Sequence, residues 1–327
     1  FGNEEVRLKR PSDHTFFGDV TQTYTEEDEL TGATTAPLFQ RYIRDTDSFV
    51  ISDAGGFGFL AFQDADTLEV TNVSTIVNTI AVHQPTGKTF GGSANNGTLK
   101  IYESNADSGR TISLTNETGV YELILVPSVN RLVAIGENQA SFVDPVNETF
   151  ISADTSVGLG SQSFNSATSN FSHSRADRVL YADELGNNYI IRPAAESADD
   201  VGSIVPGVQS LVYIPDIDTF WGVQTSDNIG IAYDGATLSK IGETDSAVSS
   251  ALLHETSVIE DRFALVADGD NPTIRIVDPV DILDSKTIEG GAETDAIGYD
   301  PTRSDLVFAI DTRPMKFVRV SYNPFFE

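Results

Sequence analysis

The chain has 327 residues, no cysteine, and 49 acidic residues against 20 basic ones, for a formal net charge of -29. The absence of cysteine excludes disulfides, thiolate metal ligands and a thiol nucleophile. The only close group of basic residues is Arg7, Lys9 and Arg10, so we expect no nucleic-acid partner. No run of eighteen apolar residues occurs, and direct membrane insertion is therefore not expected.

The acidic surplus is spread along the chain instead of being collected in a tail. Self-repulsion of this size destabilises a compact chain in dilute buffer, whereas at molar salt the Debye length falls to about 3 Å and screens the repulsion. The composition therefore predicts a halophilic protein. An ordinary acidic secreted protein is the alternative interpretation.

Helical periodicity is almost absent, and short β-branched and aromatic runs alternate with Gly, Asn, Asp and Pro, a pattern that predicts an all-β chain. The first predicted element is a strand within residues 13–20. After it, a clear apolar strand recurs every 41 to 47 residues, a period typical of a four-stranded propeller blade. The residues that mark these strands are Phe49, Phe90, Leu132, Val179, Phe220, Phe263 and Leu306.

The pattern predicts one domain over residues 1–327, a seven-bladed β-propeller with four-stranded antiparallel blades. The last unit ends near Tyr322 after three strands, so the strand at residues 13–20 should supply its fourth strand and close the ring. The predicted blades span residues 38–71, 79–114, 121–152, 170–205, 210–242, 250–289 and 295–322.

The second unit carries a recognisable signature. Residues 79–90, TIAVHQPTGKTF, followed by residues 95–101, NNGTLKI, resemble a YVTN-type propeller repeat, and weaker copies occur later in the chain. The Gly-His and Trp-Asp marks of WD40 blades are missing, since the single tryptophan is Trp221. The resemblance implies a YVTN- or WD40-like propeller, similar to haloarchaeal cell-surface or virion-surface proteins, with a tendency toward binding.

Two predicted loops, residues 21–37 and 154–170, are longer than the repeat requires, and both should precede an innermost strand on the same face of the disc. Long loops on a rigid scaffold are frequent binding elements, and plain solvated connectors are the alternative. The predicted binding residues in these loops are Glu26, Glu27, Asp28, Glu29, Leu159, Gln162, Phe164 and Asn165.

Three histidines, His83, His173 and His254, each end a predicted innermost strand in alternate units. A three-histidine metal site at the central channel is one interpretation. Exposed turn histidines, held far apart around the ring, are the other interpretation and the one we prefer. We therefore expect no metal and no cofactor.

Enzyme motifs are missing: the sequence contains no P-loop, Rossmann fingerprint, nucleophile elbow or HExxH motif. The turn at residues 268–271, DGDN, resembles the start of a calcium loop, but it lacks the distal ligands, and a hairpin turn explains it. No catalytic residue is predicted.

These features predict a non-enzymatic, extracellular propeller for protein contact, adhesion or host attachment, either on a haloarchaeal virion as a spike, turret or decoration component, or on a cell surface. Its expected partners are a protein or glycan on a cell surface, or neighbouring virion or envelope proteins. The alternative is a lactonase-like propeller that binds a ligand, or hydrolyses it with a metal, in the central channel. Five N-glycosylation sequons favour a surface location weakly; they lie at Asn72, Asn96, Asn116, Asn147 and Asn170.

Overall fold

In the residues that it describes, the computed structural model contains 28 β-strands and three short 3-10 helices. Every strand pairing in it is antiparallel. The structure describes residues 24–27, 37–53, 59–66, 70–73, 76–155, 171–175, 178–182, 188–202, 208–224, 227–247, 256–259, 263–267, 273–278, 285–289, 294–300, 305–310 and 316–321.

The described strands form seven four-stranded sheets, which we call blades 1–7 in chain order. In blades 1–6 the four strands follow one another in the chain. The strands of blades 1–3 are Pro37–Ile43 (β2), Ser48–Asp53 (β3), Phe59–Asp64 (β4) and Val70–Val73 (β5); Thr79–His83 (β6), Lys88–Ser93 (β7), Asn96–Glu103 (β8) and Ala106–Ser113 (β9); and Val120–Val126 (β10), Arg131–Gly136 (β11), Ala140–Asp144 (β12) and Thr149–Asp154 (β13).

Blades 4–6 repeat this order, and blade 7 combines three C-terminal strands with one N-terminal strand. Their strands are Phe171–Arg175 (β14), Arg178–Ala182 (β15), Asn188–Arg192 (β16) and Ser197–Gly202 (β17); Val208–Ile214 (β18), Thr219–Gln224 (β19), Ile229–Asp234 (β20) and Lys240–Ala247 (β21); Thr256–Ile259 (β22), Phe263–Ala267 (β23), Thr273–Val277 (β24) and Ser285–Glu289 (β25); and Thr294–Asp300 (β26), Asp305–Ile310 (β27), Lys316–Ser321 (β28) and Tyr24–Glu27 (β1).

The first strand of each blade is the innermost, and it contacts the first strands of the blades before and after it. Blade 7 contacts blade 1 in the same way, through β26 and β2, so the series of contacts closes on itself. The expected class, an all-β propeller with four-stranded antiparallel blades, is confirmed.

The strand that completes blade 7 is not the predicted one. Its fourth strand is β1, which pairs with β28 so that Tyr24 lies opposite Val320 and Glu27 opposite Phe317. Residues 13–20, the predicted closing strand, lie outside the described residues. An outermost strand pairs with one neighbour and has one solvated edge. Its backbone can therefore pair even when its side chains are polar or charged, as in the sequence YTEE. The apolar pattern that identified other strands is therefore a poor guide at this position.

The hydrophobic core lies between successive blades. In β11, Leu132 and Ala134 pack with blade 2, while the alternate residues Val133 and Ile135 pack with blade 4. Because successive side chains of a strand point to opposite faces, a strand covered by neighbours on both sides must be apolar throughout. Corresponding clusters lie between blades 1 and 2, 4 and 5, and 5 and 6.

The loops fall on two faces of the disc, which follow from the strand order. The hairpin-turn face carries the turns from first to second strand and from third to fourth strand. The crossover face carries the turns from second to third strand and the connections from one blade to the next.

The turns from first to second strand of blades 2, 3 and 5 repeat one backbone design. Short 3-10 helices at Gln84–Thr86, Pro127–Val129 and Pro215–Ile217 each have a proline in their first positions and end at a left-handed residue, Gly87, Asn130 or Asp218. Proline favours the φ angle that begins such a turn, and a left-handed residue reverses the chain into the next strand.

Candidate functional site

His83 is buried, which corrects the expectation of an exposed turn histidine. It is 2% exposed at the end of β6. Its Nδ1 atom forms a 2.7 Å hydrogen bond with the Thr86 hydroxyl, and its Nε2 atom donates a 2.9 Å hydrogen bond to Oδ1 of Asn130. Because Asn130 belongs to the turn of blade 3, that turn covers the end of the preceding innermost strand. His83 therefore links two blades.

The other two candidate metal ligands are not brought together with His83 in the described structure. His173 lies in β14, opposite Leu180, and His254 lies outside the described residues. Within the described ranges, no group of three His, Cys, Asp or Glu side chains could hold a metal ion. Both ring nitrogens of His83 are already engaged by protein partners.

Glu148 joins blades 2 and 3 further out on the hairpin-turn face. Its carboxylate accepts hydrogen bonds from Lys88 Nζ at 2.5 Å and from Arg110 Nη1 at 2.6 Å. Arg110 also forms an ion pair with Glu103 of its own blade. The hydrogen bond to Glu103 and the attraction of Glu148 raise the pKa of the Arg110 guanidinium. Four charged groups thus neutralise one another across the blade boundary.

On the same face, an aspartate ends the third strand of blade 3 and another ends the third strand of blade 5. Asp144 accepts hydrogen bonds from the backbone N–H groups of Val146 and Asn147 and from the Asn147 side chain. Partial burial acts against its charged form, but these hydrogen bonds outweigh that effect and lower the pKa of Asp144. The backbone hydrogen bond from Thr237 lowers the pKa of Asp234 in the same way.

On the crossover face, the connection from blade 2 to blade 3 folds around the carboxylate of Glu117. Its Oε1 atom accepts hydrogen bonds from the backbone N–H groups of Thr118, Gly119 and Glu137, at 2.9, 3.4 and 3.1 Å. Gly136 leaves room for this carboxylate, since a Cβ atom there would overlap it. A side chain thus occupies the cluster of N–H donors that an external anion could otherwise use.

Two of the eight predicted binding residues lie in segments that the structure describes. Glu26 and Glu27 lie in β1, paired with Val318 and Phe317, so they are part of a strand and not of a loop as predicted. The remaining six lie outside the described residues; they are Asp28, Glu29, Leu159, Gln162, Phe164 and Asn165.

Both long connections begin and end on the crossover face. Residues 155–170 join the outermost strand of blade 3 to the innermost strand of blade 4, and residues 28–36 join β1 of blade 7 to β2 of blade 1. They are the two longest of the seven connections between blades; the others span four to eight residues. This face therefore combines the longest chain segments with a rigid ring of strands.

Sequence reasoning missed the links between blades, because each joins residues that are far apart in the chain. Asn130 lies 47 residues after His83, and Glu148 lies 38 residues after Arg110. Both separations are close to the repeat length. A search for polar pairs one repeat apart could have found them.

No protein-family model matches the chain, and no curated protein matches it. In contrast, 1651 solved chains match its structure. One of them is the crystal structure of the β-propeller domain of Cps50 (Swd1) from Myceliophteria thermophila. The alignment covers 90% of this chain and 99% of that one, with a TM-score of 0.65 and 14% sequence identity. At this identity the similarity shows the fold, a WD40-like β-propeller, and a fold so widely shared does not specify a function.

None of the helices in the described residues has the length and apolar character needed to cross a bilayer.

Proposed function

We propose that this protein is a non-enzymatic β-propeller that binds a protein partner through its crossover face. The observation that carries the proposal is the placement of the two longest inter-blade connections on that one face. A rigid scaffold lowers the entropic cost of presenting loops to a partner. The WD40-like fold is consistent with this role, since propellers commonly mediate protein contacts.

The finer proposal is a seven-bladed, YVTN-like ring that works outside the cell at high salt, on a virion or a cell surface. The seven sheets and the closed series of contacts between innermost strands support the ring. The net charge of -29 supports the high-salt setting, because repulsion among these charges is screened at molar salt. Neighbouring surface proteins and surface glycans are the proposed partners.

Shortening one long connection tests the docking surface. We would replace residues 155–170 by six Gly and Ser residues, the length that joins β9 to β10. The variant should lose at least ten-fold in binding to an envelope fraction while its thermal unfolding stays unchanged. The matched control is Lys240→Ala, an exposed change on the hairpin-turn face, which should retain binding. Full binding by the shortened variant would reject this connection as the contact.

Unfolding across a salt series tests the proposed environment. The midpoint should rise steeply between dilute buffer and several molar NaCl, because screening removes repulsion among surplus acidic groups. The same samples should be assayed for bound metal. Salt-independent stability together with one tightly bound metal per chain would contradict this proposal and favour the metal-dependent hydrolytic alternative.

A further inference from the structure

The sequons lie in different structural settings. Asn96 and Asn116 are exposed on the crossover face at the boundary of blades 2 and 3, whereas Asn147 is exposed on the hairpin-turn face. The first two segments adjoin, since the Leu114 N–H donates a 2.9 Å hydrogen bond to the carbonyl of Gly97. One small surface region therefore carries two acceptor motifs.

The side-chain amides of these asparagines differ in availability. The Nδ2 atom of Asn147 donates a 2.8 Å hydrogen bond to Oδ2 of Asp144. In the described structure, the side chains of Asn96 and Asn116 form no hydrogen bond. Transfer of a glycan requires the Nδ2 atom to reach the sugar donor, so the bond to Asp144 must break before Asn147 can react. The two crossover-face asparagines need no such step.

The fold also presents Asn116 outward. The next residue, Glu117, turns its carboxylate inward to three backbone N–H groups. Asn116 has a left-handed backbone with φ of 61° and is exposed, and Thr118, two residues later, is exposed as well. The asparagine amide of this sequon is thus accessible on a connection whose backbone is fixed by Glu117. The Thr118 hydroxyl is also at the surface, where it donates a 2.7 Å hydrogen bond to Oε2 of Glu137 that a transferase must replace.

We propose that, of the three sequon asparagines whose side chains the structure describes, Asn116 is the principal N-glycan acceptor and Asn96 a secondary one, while Asn147 is protected by Asp144. The co-substrate is a polyprenyl-diphosphate-linked oligosaccharide. The Asn116 Nδ2 atom forms a bond to C1 of the first sugar, the C1–O bond to the diphosphate breaks, and the lipid diphosphate leaves. The displaced amide proton passes to a base of the transferase.

Asn96 ranks second because its sequon is partly in a ladder. Asn96 and Thr98 both lie in β8, and Thr98 pairs with Ser113 of β9, so the backbone of the sequon is held in the sheet and a transferase must open the ladder to bend it. The Asn116 sequon lies wholly in the connection between β9 and β10. The inference goes beyond the proposed function, and it holds or fails independently of partner binding.

The test is glycan transfer in vitro. The full unmodified chain, folded in high salt, is incubated with a purified oligosaccharyltransferase and its lipid-linked oligosaccharide. Peptide mass spectrometry then gives the occupancy of each asparagine. Synthetic peptides covering residues 92–102, 112–122 and 143–153 provide the unfolded reference. We expect Asn116 to be modified in the folded chain to a similar extent as in its peptide, Asn96 less, and Asn147 at least ten-fold less than in its peptide.

Two variants complete the experiment. D144N keeps one oxygen for the backbone N–H groups but removes the acceptor of the Asn147 side chain, so it should raise Asn147 occupancy several-fold. N116Q should abolish modification in the region of residues 112–122. Equal occupancy of Asn147 and Asn116 in the folded wild-type chain would overturn the proposal, as would an unmodified Asn116 whose peptide is modified. Thermal unfolding of each variant confirms that it is folded before transfer is measured.

Discussion

The two faces of the propeller join blades 2 and 3 by different means. On the hairpin-turn face the links are between side chains, His83 with Asn130 and Arg110 with Glu148. On the crossover face a close backbone contact is added to the side-chain bonds of Glu117: a Cβ atom at Gly97 would overlap the carbonyl oxygen of Glu117. A single substitution can remove one side-chain link and leave the others in place. At a close backbone contact, in contrast, there is no space for any side chain. We therefore expect sequence changes on the crossover face to alter the length of its connections and not the residues at such contact points.

The largest expected effect is at these contact points. Gly97→Ala should destabilise the fold by about 2 to 3 kcal/mol, because the new methyl group must displace the backbone of the neighbouring connection. Urea unfolding measures the difference. The control is Gly109→Ala in blade 2, where a Cβ atom meets nothing within 4 Å but φ is +70°, so that left-handed strain alone should cost about 1 kcal/mol. Equal losses in the free energy of unfolding for the two variants would contradict the larger cost expected from crowding at Gly97.

The next effect concerns the buried link on the opposite face. His83→Ala removes two hydrogen bonds from a side chain that is 2% exposed and leaves Asn130 without its partner. We expect a loss of about 2 kcal/mol in the free energy of unfolding. Asn96→Ala, an exposed change, should stay below about 0.5 kcal/mol. A neutral His83→Ala would show that the link does not stabilise the boundary between blades 2 and 3.

The ionic link should matter less and depend on salt. Glu148→Gln removes the charge that Lys88 and Arg110 share, and pairs near the surface contribute below about 1 kcal/mol. The loss should be largest at low ionic strength and should shrink near 1 M NaCl, where the Debye length is about 3 Å. Unfolding of both proteins at the two salt concentrations decides this. An unchanged loss at 1 M NaCl would mean that packing, and not charge, is responsible.

The smallest expected effect appears only as a dependence on pH. Since the pKa of Asp144 is lowered in the folded protein, its carboxylate stabilises the fold above the unfolded pKa of about 3.9, and this contribution is lost as the pH falls through the folded value. The difference in unfolding midpoint between wild type and Asp144→Asn should therefore shrink from pH 6 to pH 3.

The control for this measurement is Asp216→Asn, an exposed aspartate in another turn of the same face. It experiences the same change in overall charge, so effects common to the whole acidic surface cancel in the comparison. A midpoint difference for Asp144→Asn that stays constant with pH would contradict the role of its charge.

Strands covered on both sides were the ones that could be predicted. Phe49, Leu132 and Phe220 lie at 0% exposure in second strands, where packing against two neighbouring blades demands apolar residues at successive positions. The outermost strands were harder, because one solvated edge accepts polar and charged residues, and Glu26 and Glu27 were therefore interpreted as a loop. The prediction that His83 is exposed was wrong for a related reason: its burial depends on Asn130, which lies in the turn of the next blade.

The sequence by itself determined the all-β class and the repeat of just over forty residues, because these follow from local patterning of apolar and turn residues. Only the tertiary structure decided that β1 closes blade 7, that His83 links two blades and that Glu117 turns inward. Each of these depends on partners about 20 to 300 residues away in the chain. Local propensity contains no information about such partners, since they meet only when whole blades pack against one another.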